Sequence, residues 1–153
     1  MTINIIDVDT NNATQMQDTS DMLVSYLQNW ATLRDPSHEH YNKVPLSDIS
    51  RINNIIADSR YGRHNFTIGY DSDTPMAIAG TTKAGEIVHV YVMPEYAGQG
   101  IAKRLIDAQL RHGGWFASVH YDNIKSQKLF SSCGFIKKHR KGNLDVWLAP
   151  GVL

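Results

Sequence analysis

The apolar and polar positions of the first third of the chain predict one strand followed by two helices. Residues 3–8 are rich in isoleucine and valine, and the polar run 9–14 ends this β-like start. A cap among residues 19–21 is predicted to begin the first helix, and Ser47 or Asp48 the second. Both helices are expected to be short. Their apolar positions at helical spacing are Leu23, Leu27, Trp30 and Ala31, then Ile49, Ile52, Ile55 and Ile56.

The middle of the chain changes to short runs that are typical of strands. Three such runs are predicted, at residues 64–70, 74–81 and 86–93, and the last of them reads EIVHVYVM. Turns at 71–73 and 83–85 join them. Because short turns connect three consecutive strands, we expect an antiparallel meander.

The last third alternates helices with strands. Pro94 ends the third strand, and a glycine-containing turn leads into a helix that stops at Gly113 and Gly114. The inward positions of that helix are Ile101, Leu105, Ile106 and Leu110. The remaining predicted elements are a strand at 115–120, a helix at about 123–133, and strands at 135–139 and 144–148. This order predicts an α+β or three-layer fold in a single domain, residues 1–153, with helices packed on the faces of a sheet.

Composition narrows the classes of function. The chain has 153 residues, of which 42% are hydrophobic and 20% charged, as in an ordinary globular protein. Fifteen basic side chains balance fifteen acidic ones, which argues against a dedicated binder of nucleic acid or of an anionic membrane. No stretch approaches the roughly 20 apolar residues of a membrane span, and residues 1–9 are not expected to act as a secretory signal. Cys133 is the only cysteine, so an intrachain disulfide is excluded and a reducing, cytoplasmic setting is expected.

The turn before the third predicted helix has the composition of a phosphate-binding site. Gly98 and Gly100 let the backbone approach a ligand, and the first N–H groups of the helix carry the positive end of its dipole. The dinucleotide fingerprint G-x-G-x-x-G fails because Lys103 stands at its third glycine, and no P-loop Gly-Lys-Ser/Thr exists. From these residues alone, a purely structural turn remains an equal alternative.

Two motifs resemble those of the GNAT superfamily of N-acetyltransferases. Residues 92–102 read VMPEYAGQGIA, which is similar to the acyl-CoA-binding motif V-x-P-x-x-Q/R-G-x-G-x-G/A. Residues 123–135 read NIKSQKLFSSCGF, which is similar to the later motif N-x-x-A/S-x-x-L/F-Y-x-x-x-G-F. The resemblance covers nearly the whole chain and implies a three-layer α+β fold. Its central sheet is mixed, mostly antiparallel and flanked by helices on both faces.

The resemblance also implies where acetyl-CoA is held. Backbone N–H groups of residues 98–103 would bind the pyrophosphate, and pantetheine would lie where the strand ending at Val92 splays from the strand ending near His120. The N–H of Val92 would polarise the thioester carbonyl. Asn123 would contact the pantetheine arm, cap the following helix, or do both. The implied cofactor-binding residues are Tyr91, Val92, Ala97, Gly98, Gln99, Gly100, Ile101, Ala102, Lys103 and Asn123.

Two residues depart from the family pattern. Ala97 replaces the usual arginine or glutamine, so Lys103 or Arg104 would have to supply the missing charge. Phe130 replaces the tyrosine that protonates the departing thiolate in many members, so the usual general acid is absent.

Several side chains are candidates for proton transfer. Glu86 is the first candidate for the base, with an exposed carboxylate at the strand end as its structural alternative. His89 is the second, although plain alternation places it on the opposite face unless a bulge intervenes. His120 and Tyr121 follow the next strand, and Tyr121 is a substitute for the missing phenol; a structural role is the alternative for both.

Other conspicuous residues carry weaker signals. His38, Glu39 and His40 have too few neighbouring ligands to predict a metal site, and with Trp30 and Tyr41 this segment is expected to border the acceptor pocket. The basic run 137–141 is interpreted as a solvated hairpin tip. Cys133 is interpreted as a core residue.

The sequence is therefore interpreted as an acetyl-CoA-dependent N-acetyltransferase without a metal. It would transfer acetyl directly to a primary amine, with a small-molecule acceptor slightly favoured over a protein. Because of Ala97 and Phe130, a non-catalytic acyl-CoA-binding regulatory module is the alternative. A nucleic-acid protein is a third hypothesis, which the zero net charge disfavours, and homodimer formation is an expectation by analogy with the family.

Overall fold

The computed structural model describes residues 2–33 and 47–152. The strands in these ranges are β1 (Ile3–Asp7), β2 (His64–Asp71), β3 (Thr74–Thr82), β4 (Ile87–Val92), β5 (Phe116–His120), β6 (Ile136–Lys141) and β7 (Leu144–Leu148). The helices are α1 (Ala13–Leu33), α2 (Ser47–Arg60), α3 (Ile101–Arg111) and α4 (Ile124–Ser132), and a short 3-10 helix (Pro94–Tyr96) follows β4. None of the described helices combines the length and apolar character needed to cross a bilayer.

The predicted meander is confirmed, because β1, β2, β3 and β4 form one antiparallel sheet in that order. Helices α1 and α2 pack on one face and α3 on the other. Buried residues on the α1/α2 face are Met22, Leu23, Ile52, Phe66, Ile68 and Ile78. Those on the α3 face are Met76, Ala77, Ala79, Ile101 and Leu105. The three predicted layers are therefore present.

A second sheet, in the order β5-β7-β6, continues the fold on the other side of β4. Its buried face packs against α4, where the rings of Phe130 and Phe135 meet at 5.0 Å. Within the described ranges, a single parallel bridge between Glu86 and Phe116 joins the two sheets. Beyond that bridge β4 and β5 separate, as the resemblance implied.

Helix α3 is tied to the first sheet by the buried side chain of Gln109, which is 0% exposed. Its amide oxygen accepts a hydrogen bond from Thr81 at 2.6 Å. Its amide nitrogen donates to Thr67 at 2.9 Å and to the carbonyl of Ala79 at 3.1 Å. This network fixes the helix whose first turn follows the two glycines.

The predicted start of the first helix is wrong. Helix α1 begins at Ala13, where Asn12 Oδ1 accepts a hydrogen bond from the N–H of Gln15 at 3.0 Å. Thr19, one of the predicted caps, is buried inside the helix and donates to the Gln15 carbonyl. The polar run before Met16 hid the true beginning, and the helix is longer than expected.

Some predictions fall on residues that the structure does not describe. The loop with His38, Glu39 and His40, together with Tyr41 and the side chain of Trp30, lies outside the described residues. In the described ranges, no three histidine, cysteine, aspartate or glutamate side chains are grouped closely enough to hold a metal ion.

Candidate active site

The separation of β4 from β5 opens a cavity of about 1140 Å³ between the two sheets. Both strands line it, together with the glycine turn and one side of α4. Glu86 lies at the closed end, next to the single bridge between the sheets. The cavity has the size of a ligand site and is elongated by its construction between two diverging strands.

The glycine turn closes one wall of the cavity. Gly98 and Gly100 adopt positive φ angles of 81° and 74°. The first hydrogen bond of α3 runs from the N–H of Arg104 to the Gly100 carbonyl, so the amides of residues 101–103 precede it at the positive end of the helix. Six predicted cofactor residues of this turn line the cavity: Ala97, Gly98, Gly100, Ile101, Ala102 and Lys103. Gln99 is exposed and does not line it.

The free edge of β4 presents backbone groups to the cavity. The N–H of Met93 donates to the Met76 carbonyl across the sheet at 2.9 Å. Because successive residues of a strand direct their amides to opposite edges, the N–H of Val92 points toward the cavity. Tyr91 and Val92 both line it. An extended amide-containing ligand can therefore pair with this edge as an additional strand would.

A β-bulge interrupts β4 at His89. Gly80 is opposite Val88 and Ile78 is opposite Tyr91, so one residue of β3 faces two residues of β4. His89 has a φ of 56°, a left-handed conformation that costs a residue with a side chain of order 1 kcal/mol. Such strain at the edge of a cavity is a frequent feature of functional sites.

The bulge turns the imidazole of His89 into an aromatic cluster under α1. Its ring lies 5.6 Å from Tyr26, 6.5 Å from His64 and 6.4 Å from Phe66. Burial, and then the charges of His64 and Arg51, lower the pKa of His89 to about 4. The imidazole is therefore neutral at neutral pH.

Glu86 and His89 share one face of the sheet because of this bulge. Val88 is in register with Gly80 and Phe66 on the α1/α2 face, and Glu86 is two residues before Val88. His89 contacts Phe66 on the same face. Plain alternation would have separated Glu86 from His89, so the bulge overturns the expectation of opposite faces.

The environment of Glu86 suits a general base. The side chain is partly buried and lines the cavity, and its carboxylate accepts a hydrogen bond from Ser118. Burial raises the pKa of Glu86, and the hydrogen bond from Ser118 partly opposes that increase. A carboxylate with a raised pKa removes a proton from an amine more readily than an ordinary one.

His120 and Tyr121 differ in position. His120 is 9% exposed and lines the cavity, with Nδ1 2.5 Å from Asp122 Oδ1. Tyr121 is 41% exposed, lies beneath the guanidinium of Arg140 and does not line the cavity. The structure thus brings His120, but not Tyr121, to Glu86's cavity.

Two residues of α4 are placed as the motif suggested. Asn123 caps the helix, its Oδ1 accepting a hydrogen bond from the N–H of Ser126 at 3.2 Å, and it also lines the cavity. Phe130 is 4% exposed and lines the cavity with a ring that has no proton to donate. Cys133, at the end of α4, packs beside the same core.

Sequence reasoning missed three cavity-lining residues with hydroxyl groups. Tyr26 reaches the cavity from α1, Tyr96 from the 3-10 helix and Ser118 from β5. The Tyr96 hydroxyl donates to Asp71 at 2.8 Å, which raises the pKa of Tyr96. The position of Tyr26 three residues after Leu23 was a detectable signal. No sequence signal identified Ser118, because it meets Glu86 only where the two sheets come into contact.

Comparison with known proteins places this geometry in a family. The model described as the acetyltransferase (GNAT) family matches residues 22–135. Among curated protein sequences, none matches the chain. PaiA N-acetyltransferase from Thermoplasma acidophilum, solved with coenzyme A, has 17% identity and a TM-score of 0.66, covering 97% of this chain and 99% of that one. An acetyltransferase from Streptococcus agalactiae has 12% identity and a TM-score of 0.69, with coverages of 96% and 97%.

A third solved structure, a GNAT acetyltransferase from Staphylococcus aureus, has 15% identity and a TM-score of 0.65, covering 97% of this chain and 98% of that one. At such identities the solved structures establish the fold, while the family match extends over most of the chain and both of its motifs. The chain belongs to the GNAT family of acetyltransferases.

Proposed function

We propose that this protein is an acetyl-CoA-dependent N-acetyltransferase that transfers acetyl directly to a primary amine. One observation carries the proposal: the cavity between the diverging strands joins a helix N-terminus at one wall to the partly buried carboxylate of Glu86 at its closed end. The similar Thermoplasma acetyltransferase was solved in complex with coenzyme A, which supports the choice of acyl donor.

The pyrophosphate of the donor would bind the amides of residues 98–103. Lys103 lines the cavity and would provide the positive charge that is missing at Ala97. The pantetheine arm would follow the edge of β4, where the N–H of Val92 would also polarise the thioester carbonyl. Two features of the site favour this placement: positive φ angles at Gly98 and Gly100, and the free space around both α-carbons.

The proposed reaction begins when the neutral amine attacks the thioester carbonyl. Glu86 takes the amine proton, the new C–N bond forms, and the C–S bond breaks to release the thiolate. Phe130 cannot protonate that thiolate, so we assign the proton to His120, whose imidazole lies beside Asp122. No covalent enzyme intermediate is needed.

A non-catalytic acyl-CoA-binding module is the second candidate function. The specific observation in its favour is the buried phenyl ring of Phe130 at the position of the family's usual acid. Both candidates require coenzyme A to bind, and only the first requires turnover.

The first experiment compares calorimetric binding and thermal shift with acetyl-CoA, coenzyme A, ATP and NAD. We expect selective stabilisation by acetyl-CoA and coenzyme A, because a ligand that binds only the folded state raises its stability. Thiol release from acetyl-CoA is then measured with a panel of primary amines. Absence of coenzyme A binding in folded protein would refute both candidates, whereas binding without turnover would leave the module.

A further inference from the structure

A second groove of about 550 Å³ adjoins the cavity on the α1/α2 side of the molecule. Glu86, Ser118 and Leu144 line both spaces, so the groove leads directly to the carboxylate assigned as base. The groove runs across the face of β5, β7 and β6 that is opposite α4.

The floor of the groove is apolar. Phe116 is paired with Leu148, and Ser118 with Val146, so these side chains share one face of the second sheet. All four are partly buried, whereas Trp115, beside the groove, is 43% exposed. A partly exposed apolar floor next to the Glu86 carboxylate is typical of a surface that binds an apolar molecule.

The carboxylate of Glu86 and the ammonium group of Lys141 stand at the two sides of the groove. Glu86 occupies the side next to the cavity, and His139 and Lys141 line the far side on β6. One row across the three strands consists of Ser118 on β5, Val146 on β7 and His139 on β6. The backbones of β5 and β6 are therefore roughly 10 Å apart in this row. Lys141 is opposite Leu144 in the adjacent row.

We infer that this groove binds the acceptor, and that the acceptor is an apolar or aromatic primary amine which also carries an anionic group. The inference rests on the proposed function. The amine would lie at Glu86, the apolar body on Phe116 and Val146, and the anionic group near Lys141. A diamine would place its second cation beside Lys141, so the groove selects against it.

Three benzylic amines that differ at the para position test the inference. We expect the kcat/KM of para-(aminomethyl)benzoate to exceed that of benzylamine roughly threefold to fivefold, the value of an exposed ion pair, and that of para-xylylenediamine to be the lowest. Added salt should reduce the first difference. Equal values of kcat/KM for benzylamine and para-(aminomethyl)benzoate would overturn the inference.

A matched pair of variants locates the effect. Lys141→Gln should abolish the preference for the carboxylate. Lys137→Gln should preserve it, because Lys137 is paired with Trp147, whose ring packs on the α4 face of the same sheet. If the two variants show the same preference, the assignment of Lys141 is wrong.

Direct binding separates this inference from the proposed function. Titration of para-(aminomethyl)benzoate into protein saturated with coenzyme A should give saturable heat, with a dissociation constant that rises roughly threefold to fivefold in Lys141→Gln. Saturating binding of coenzyme A without binding of this probe would refute the acceptor class alone. Absence of coenzyme A binding would instead refute the proposed function.

Discussion

The two sheets line the same cavity but are enclosed to different degrees. Helices cover both faces of the first sheet, and residues 66–69 and 76–81 at its centre are buried. The second sheet packs α4 on one face, while Ile136 and Leu144 on the opposite face are 70% and 41% exposed. The first sheet is therefore the enclosed wall of the proposed cofactor site, called the cofactor wall below, and the second presents side chains that are available to the proposed acceptor.

The two sides also use different atoms. In the proposed cofactor site, the groups that would bind are backbone amides beside the left-handed glycines Gly98 and Gly100. In the proposed acceptor site, the groups are side chains, among them Glu86 and Lys141, that line the second groove. Mutations should therefore separate cofactor binding from chemistry and acceptor choice.

The largest expected effect is the loss of catalysis in Glu86→Gln. The amide cannot accept the amine proton, so kcat should fall by roughly 10²- to 10⁴-fold. The dissociation constant of coenzyme A should stay nearly unchanged, because Glu86 lies at the closed end beyond the glycine turn. Steady-state kinetics and calorimetry on the same preparation provide the two values.

The matched control for this variant is Glu95→Gln, an exposed carboxylate in the 3-10 helix near the turn. It should retain full activity. The pH profile adds a second check: kcat/KM should fall as the pH drops through the raised pKa of Glu86. Glu86→Gln with activity within twofold of the parent would remove Glu86 as the base.

A second prediction concerns His89, which is buried under α1 and should make the free energy of unfolding depend on pH. The pKa of His89 is about 4 in the folded protein and 6.5 without burial, so the unfolded chain binds the proton first as the pH falls. The free energy of unfolding should thus decrease between pH 6.5 and 4, by up to about 3 kcal/mol from this group. Urea denaturation across this range measures the decrease.

His89→Asn should flatten that dependence, since asparagine tolerates the left-handed backbone of the bulge. His139→Asn on the exposed strand β6 is the control and should leave the pH dependence intact. An unchanged acid transition in His89→Asn would mean that this imidazole does not contribute to it.

The sequence predicted the geometry of the glycine turn better than the surroundings of Glu86. The residues of the glycine turn lie next to each other in the chain, so a local motif identified them. Glu86 and Ser118 come together only through the contact between two sheets, and no local pattern encodes that contact. The bulge at His89 likewise depends on pairing with β3, so alternation alone gave the wrong face.

Helix boundaries were also predicted only where the local sequence encodes them. A helix cap was one of the two roles predicted for Asn123, and the cap is present. The start of α1 was missed because Asn12 begins a helix whose first turns are mostly polar. The buried apolar residue in these turns, Met16, is recognisable as core only when the sheet beneath it is known.

A third prediction tests how strongly the Gln109 network stabilises the packing of α3 on the cofactor wall. Gln109→Leu removes three hydrogen bonds and leaves the hydroxyls of Thr67 and Thr81 without this buried partner. The free energy of unfolding should fall by about 2–3 kcal/mol, measured by urea denaturation. Gln17→Leu, on the exposed face of α1, is the control and should change it little. Equal stability of the two variants would show that the network does not hold α3 on the sheet.

The smallest expected stability effect, and the sharpest test of the cofactor wall, comes from two glycines in similar conformations. Gly100 and Gly142 have φ angles of 74° and 62°, and a Cβ at either meets no atom within 4 Å. Alanine at each position should therefore cost about 1 kcal/mol of unfolding free energy for the same conformational reason. Only Gly100→Ala should also weaken coenzyme A binding in calorimetry, because Gly142 lies in the turn between β6 and β7, away from the cavity. If both variants kept the parent affinity, the turn would be structural, and the pyrophosphate would have to bind elsewhere on the protein.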